Sequence, residues 1–147
     1  MREATLNDLD FIVDAQLKMA METEDLKLDL QVVTQGVKAI LTDPGKGTYY
    51  IGDENKGCLL ITKEWSDWRN THVWWIQSLY VLPEARGEGI FAKMYSDLKK
   101  MVSCDAGVAG IRLYVDKTNK HAKKVYQKIG MSNEHYELFE WMNHEQI

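Results

Sequence analysis

Apolar residues recur at helical spacing near the start of the chain, at Leu9, Ile12, Val13, Leu17 and Ala20, which predicts an amphipathic helix with one face turned to a core. Thr5 followed three residues later by Asp8 resembles a capping box at its entry. Val33, Val37, Ile40 and Leu41 repeat the spacing, and Asp43-Pro44-Gly45 stops it, because proline cannot continue the backbone hydrogen bonding. The texture then changes to β-branched and aromatic runs at Thr48–Ile51, Cys58–Thr62 and Val73–Ile76 with Leu79–Val81, split by polar turns. These predict three strands.

From Gly89 to Val102 the residues Ile90, Met94, Leu98, Met101 and Val102 share one helical face, with Lys93, Asp97, Lys99 and Lys100 outside it. Ile111, Leu113 and Val115 alternate as a strand, Asn119 to Ile129 reads as a helix closed by Gly130, and Tyr136 to Trp141 reads as a final strand. The predicted order is ααβββαβαβ, with a short strand before Thr5, and the expected fold class is mixed α/β.

At 147 residues, 45% hydrophobic and 27% charged, the chain can bury about 68–70% of its unfolded surface as a single domain, which excludes intrinsic disorder. Eighteen basic against 22 acidic residues give a net charge of −4, so no cation excess exists to hold a nucleic-acid backbone. Cys58 and Cys104 have neither disulfide-framework nor zinc spacing, and a reducing, cytoplasmic setting is the expectation. No secretory leader is visible, and no apolar stretch reaches the roughly 18 residues that span a membrane. His72, His121, His135 and His144 are scattered, so no metal site is expected.

The most informative stretch runs from Leu79-Tyr80-Val81 through Pro83 to Arg86-Gly87-Glu88-Gly89-Ile90, a strand turning through glycines into a helix. The first amides of such a helix lack carbonyl partners, its dipole adds positive potential, and glycines let an anion approach the backbone. A Gly-x-Gly triplet alone is weak evidence, as Gly45-Lys46-Gly47 after Pro44 illustrates. A dinucleotide-binding fold would need a longer glycine fingerprint near the start and an acid about 20 residues on, and neither is present. A second constellation is Asn119, Ala122, Tyr126, Gly130 and Met131. Asn119 and Tyr126 are two helical turns apart and project from one face, either toward a ligand or as an N-cap and a packing residue.

Together these two pieces resemble the GNAT family of acetyl-CoA-dependent N-acetyltransferases. The family's phosphate-loop pattern, Arg/Gln-x-x-Gly-x-Gly/Ala, falls on Arg86 to Phe91, with Phe91 where a small residue is usual. The later family motif falls on Asn119, Tyr126, Gly130 and Met131. The resemblance implies a mostly antiparallel sheet with helices on both faces, splayed between the strands carrying Leu79–Val81 and Leu113–Val115. It implies that backbone around Leu79, Tyr80 and Val81 binds the pantetheine arm, in the manner of an added strand. Arg86, Gly87, Glu88, Gly89, Ile90, Phe91 and Ala92 would hold the diphosphate, with Asn119 and Tyr126 completing the cofactor site. Tyr126 becomes the candidate acid.

Some family members place a glutamate base five residues before the Asn119 position, where this chain has Tyr114. Glu22, Glu24 and Asp67 are the carboxylates proposed to face an acceptor amine, which would suit a small cationic substrate. Trp65, Trp68, Trp74 and Trp75 cannot all point inward along alternating strands, and an exposed indole patch would suit a homodimer contact or an aromatic wall around an amine. The expected function is acetyl transfer from acetyl-CoA to a primary amine in a ternary complex. A non-catalytic acetyl-CoA-binding regulatory module and a purely structural interaction domain remain open alternatives.

Overall fold

Thr5 opens the first helical segment through the capping box its spacing suggests: its side chain accepts from the Asn7 amide at 3.3 Å, and its own amide donates to Asp8 Oδ2 at 2.8 Å. A short 3-10 turn at Leu6–Asp8 leads into α1, Leu9–Glu24. The chain is described here from a computed structural model covering residues 1–143, so His144 lies outside the described residues. Helix α2, Leu30–Thr42, is capped by Asp29, whose side chain accepts from the Val32 amide at 2.9 Å, and it ends ahead of Pro44 as proline's missing donor requires.

The strands are β1 (Arg2–Glu3), β2 (Thr48–Ile51), β3 (Gly57–Ser66), β4 (Thr71–Val81) and β5 (Val108–Leu113), in the spatial order β1-β2-β3-β4-β5. The first three pairings are antiparallel and β4–β5 is parallel. Helix α3, Ile90–Cys104, supplies the crossover that the parallel pair needs. Residues Met1–Tyr114 form one compact unit and the chain from Val115 onward another, which contains α4, Lys120–Lys128.

In the first unit, helices cover both faces of the sheet. Ile12, Val13 and Ala15 of α1 and Val37 of α2 are buried with Tyr49, Ile51, Cys58 and Tyr80 in one core cluster. On the opposite face Met94 Sδ of α3 lies so close to Gly57 that a Cβ added there would stand 3.2 Å from it. Burial of Cys58 among these side chains pushes its thiol up to about 12, so it acts as a small apolar residue. Both cysteines are free thiols.

Two elements depart from the sequence expectation. The strand expected at Ile111–Val115 runs instead over Val108–Leu113, because Asp105 turns the chain early by accepting from the Gly107 amide at 2.8 Å. Tyr136–Trp141 forms no strand. That segment is not among the five strands of the sheet, and a strand-like run without a paired neighbour does not hold an extended conformation. Tyr136, Phe139 and Trp141 are exposed accordingly.

Asp8 shows how the start of the chain is tied down. It is buried, accepts both arms of the Arg2 guanidinium at 2.7 and 2.9 Å, and has its pKa lowered to about 2, chiefly by that Arg2 hydrogen bond. A lowered pKa means stability that is present above the ordinary carboxylate range and is lost as the pH falls through about 2. Asp8→Asn is therefore expected to destabilise the fold by about 1–2 kcal/mol at neutral pH. Its melting temperature should converge on that of the unchanged chain in scans carried down to about pH 2, and a constant difference across that range would refute the ion pair's role.

Candidate active site

Strand β4 is long, and its two halves are out of phase. Pairing with β3 runs from Gly57↔Val81 to Leu60↔Ser78, then resumes at Ile61↔Ile76, so Gln77 is an extra residue in a β-bulge. Upstream of it Trp75 shares a face with Glu64 and Thr62. Downstream, Ser78 and Tyr80 occupy that same face and reach α1 through Gln16 Nε2–Ser78 Oγ at 3.1 Å and Tyr80 Oη–Glu22 Oε1 at 2.7 Å. On its other edge β4 pairs with β5 only from His72↔Val108 to Ile76↔Leu113. Beyond that point β4 continues to Val81 with no described strand beside it. The stretch that includes Leu79, Tyr80 and Val81 therefore presents a backbone edge without a neighbouring strand, its Val81 carbonyl engaged by Arg86 Nε, as a template for an extended ligand.

After Val81 the chain makes a 3-10 turn at Pro83–Ala85 and passes Arg86 to reach α3. Gly87 and Gly89 both adopt left-handed conformations, φ 84° and 80°, which side-chain-bearing residues rarely take. A Cβ at either position would meet nothing within 4 Å, so the backbone there is open to a ligand. Gly89 is the N-cap of α3 and supplies no side-chain cap, so no side chain competes for the first amides at the positive end of that helix. Ala92 is exposed, and Ile90 turns inward, its Cγ2 3.5 Å from where a Gly57 Cβ would sit. The Phe91 ring stacks on Tyr95 one turn along, centroids 6.3 Å apart and planes within 3°. It stays clear of the space above Gly89. Glu88, the acid between the two glycines, is paired with Lys56 Nζ at 2.8 Å.

Arg86 is held in place. Its Nε donates to the Val81 carbonyl at 3.1 Å, its Nη2 donates to Glu22 Oε2 at 2.6 Å, and its guanidinium carbon lies 5.4 Å from the centre of the Tyr80 ring. Glu22 accepts from Tyr80 with its other oxygen, and these two bonds, first that from Tyr80 and then that from Arg86, hold its carboxyl below the usual range. Burial, reinforced by the Glu22 bond, pushes the Tyr80 phenol up to about 12.

The three carboxylates named from sequence sit in different settings. Glu22 is bound into the Arg86 cluster, Glu24 ends α1 on the surface, and Asp67 caps the β3–β4 turn by accepting from the Trp68 amide at 2.9 Å. Of the tryptophans, Trp74 is buried and Trp75 half-buried, whereas Trp65 and Trp68 are exposed at the hairpin end. Sequence reasoning missed Glu64. It accepts from the Trp75 indole and from Arg112 Nη1 at 3.2 Å, and Trp75 in turn lies 4.6 Å from the Tyr114 ring. This group stands where β4 and β5 begin to part. Its only sequence signal would have been the cross-strand register counted back from the β3–β4 turn.

In the second unit, Asn119 is the N-cap of α4, its Oδ1 accepting from the Ala122 amide at 3.0 Å. Tyr126 is half-buried on that helix, and burial raises its phenol above the ordinary range. Gly130, at φ 90°, lets the chain reverse so that the Met131 amide reaches the Tyr126 carbonyl at 3.0 Å.

The sheet opens on one edge beside a glycine corner and a helix start without a side-chain cap. The chain belongs to the acetyltransferase (GNAT) family, whose sequence profile matches residues 17–131. A possible acetyltransferase from Clostridium difficile 630 superposes with a TM-score of 0.91 at 40% identity over 96% of this chain and 95% of its own. An aminoglycoside N-acetyltransferase, AAC(6')-Iy in complex with CoA, shares the fold at TM-score 0.75 and 14% identity, over 97% and 93% of the two chains. A thialysine N-epsilon-acetyltransferase from Bos taurus is 33% identical over 66 residues, which are 45% of this chain and 38% of that one. Members of the family use acetyl-CoA as donor. The bare β4 edge and the open space over Gly87 and Gly89 fit such a molecule. Among the described residues no helix is long and apolar enough to cross a membrane.

Proposed function

We propose that this chain is an acetyl-CoA-dependent N-acetyltransferase that modifies a primary amine on a small cationic molecule by direct attack in a ternary complex. The observation that carries the reading is the strand-to-helix corner, where the bare edge of β4 leads into the left-handed glycines and the uncapped start of α3. Backbone groups at Leu79 and Val81 would align the pantetheine arm, and the amides from Gly87 to Ala92, with Arg86, would neutralise the diphosphate. The bound thioester would supply an activated acetyl group.

Tyr126 is assigned as the acid by its place in the family motif, and its raised pKa keeps the proton on Oη at neutral pH. The names of the thialysine and aminoglycoside enzymes support an amine acceptor. The family match, running from residue 17 to 131, supports treating 1–147 as a single acetyltransferase domain. The free thiols of Cys58 and Cys104 suit a cytoplasmic setting, and the exposed Trp65 and Trp68 suit a homodimer contact.

One observation favours a second reading, an acetyl-CoA-binding regulatory module without turnover. Tyr114 stands five residues before Asn119, and Glu22 has both oxygens engaged, so neither supplies a free carboxylate base. Calorimetric titration with CoA is expected to show one-site binding that Gly89→Val weakens at least tenfold, since valine resists the left-handed conformation and covers the opening. Absence of heat and of a thermal shift would reject both readings. Thiol release across polyamines, aminoglycosides, amino acids and peptides then separates them, with turnover on at least one amine expected.

A further inference from the structure

We propose that Glu22 is a positioning residue for the phosphate-binding corner, acting through Arg86, and is not a ligand of the acceptor amine. The inference rests on the acetyl-CoA reading above and specifies how the chain prepares that corner. Glu22 lies on the last turn of α1, yet its two oxygens are taken by Tyr80 at 2.7 Å and Arg86 at 2.6 Å. Tyr80 belongs to the end of β4 and Arg86 to the loop that follows it. One carboxylate thus ties two consecutive pieces of the corner to the first helix.

Arg86 is further fixed by its bond to the Val81 carbonyl and by the Tyr80 ring beneath its guanidinium. A long side chain that would otherwise sample many rotamers is thereby aimed before any ligand arrives. A guanidinium has five N–H donors, so a fork engaged by Glu22 and Val81 still offers others to a phosphate oxygen. The arrangement also explains why a carboxylate can stand beside an anion site, since its charge is already matched by Arg86. Ordering a side chain of this kind at the moment of binding costs affinity, and an arginine ordered beforehand avoids that cost. An amine arriving at Glu22 would meet a carboxylate whose charge Arg86 already balances.

CoA and pantetheine, which lacks the diphosphate, are titrated calorimetrically into the unchanged chain, Glu22→Gln, Arg86→Ala, the double variant and Tyr80→Phe. Glu22→Gln is expected to weaken CoA about threefold to tenfold, the entropy of one immobilised side chain, with pantetheine affinity unchanged. In the Arg86→Ala background the Glu22 substitution should have no further effect. Tyr80→Phe, which keeps the ring and deletes only the hydroxyl, should produce a smaller loss in the same direction. In steady-state assays Glu22→Gln should raise KM for acetyl-CoA and leave kcat and KM for the amine unchanged. Unaltered or tighter CoA binding by Glu22→Gln, additivity with Arg86→Ala, or a rise in amine KM alone would overturn the proposal. Failure of the unchanged chain to bind CoA would instead overturn the acetyl-CoA reading on which it rests.

Discussion

Replacing Tyr126 by phenylalanine is expected to lower kcat about a hundredfold and CoA affinity far less. A positioned general acid contributes about 10²–10⁴ in rate, and an assignment in which water can partly substitute belongs at the lower end. The substitution keeps the ring, so the half-buried packing on α4 survives while the hydroxyl is removed. Burial raises the pKa of this phenol above the ordinary value of 10.0. The protonated, donating form therefore persists further into alkali, and the loss of kcat attributable to Tyr126 should set in above that value and be missing from the variant's pH profile. Turnover that survives the substitution intact would remove Tyr126 from the chemistry.

Truncating Ile12 to alanine should produce the largest loss of stability of any change considered. Ile12 is fully buried, and its core cluster includes Val37 from α2, Tyr49 and Ile51 from β2, Cys58 from β3 and Tyr80 from β4. Deleting three carbons where five elements meet costs about 2–5 kcal/mol, because so constrained a site cannot collapse around the void. For a chain of this size that corresponds to a melting temperature lower by about 5–15 °C. Val32→Ala, on the outer face of α2, should change stability by less than about 0.5 kcal/mol. Chemical denaturation of both variants checks the contrast, and equal midpoints would refute this account of the core.

The parts of the fold legible in the sequence are those fixed by neighbours in the chain. The capping box at Thr5, the stop at Pro44 and the closure of α4 at Gly130 each depend on residues three to five positions apart. The glycine corner was legible for the same reason, since Gly87 and Gly89 declare a backbone conformation by themselves. What stayed hidden depends on register across the sheet or between elements. Glu22 and Arg86 are 64 positions apart, and nothing local to α1 says that its last turn ends over β4. Glu64 meets Trp75 only because β3 and β4 pair as they do. Tyr136–Trp141 shows the opposite error: its aromatic, apolar-rich run suggests a strand, although pairing depends on a partner that the run itself cannot specify.

The single surplus residue at Gln77 has a consequence for how the chain can vary. It reverses the phase of β4, so that odd-numbered side chains face α1 before it and even-numbered ones after it. Excising one residue there would restore unbroken alternation and roll the segment from Ser78 to Val81 half a turn about its own axis. Tyr80 would then be delivered to the α3 side, Glu22 would lose its hydroxyl donor, and the backbone now offered at the parting of β4 and β5 would be presented in the wrong orientation. Loss of one amino acid at this place is thus more damaging than replacement of several around it.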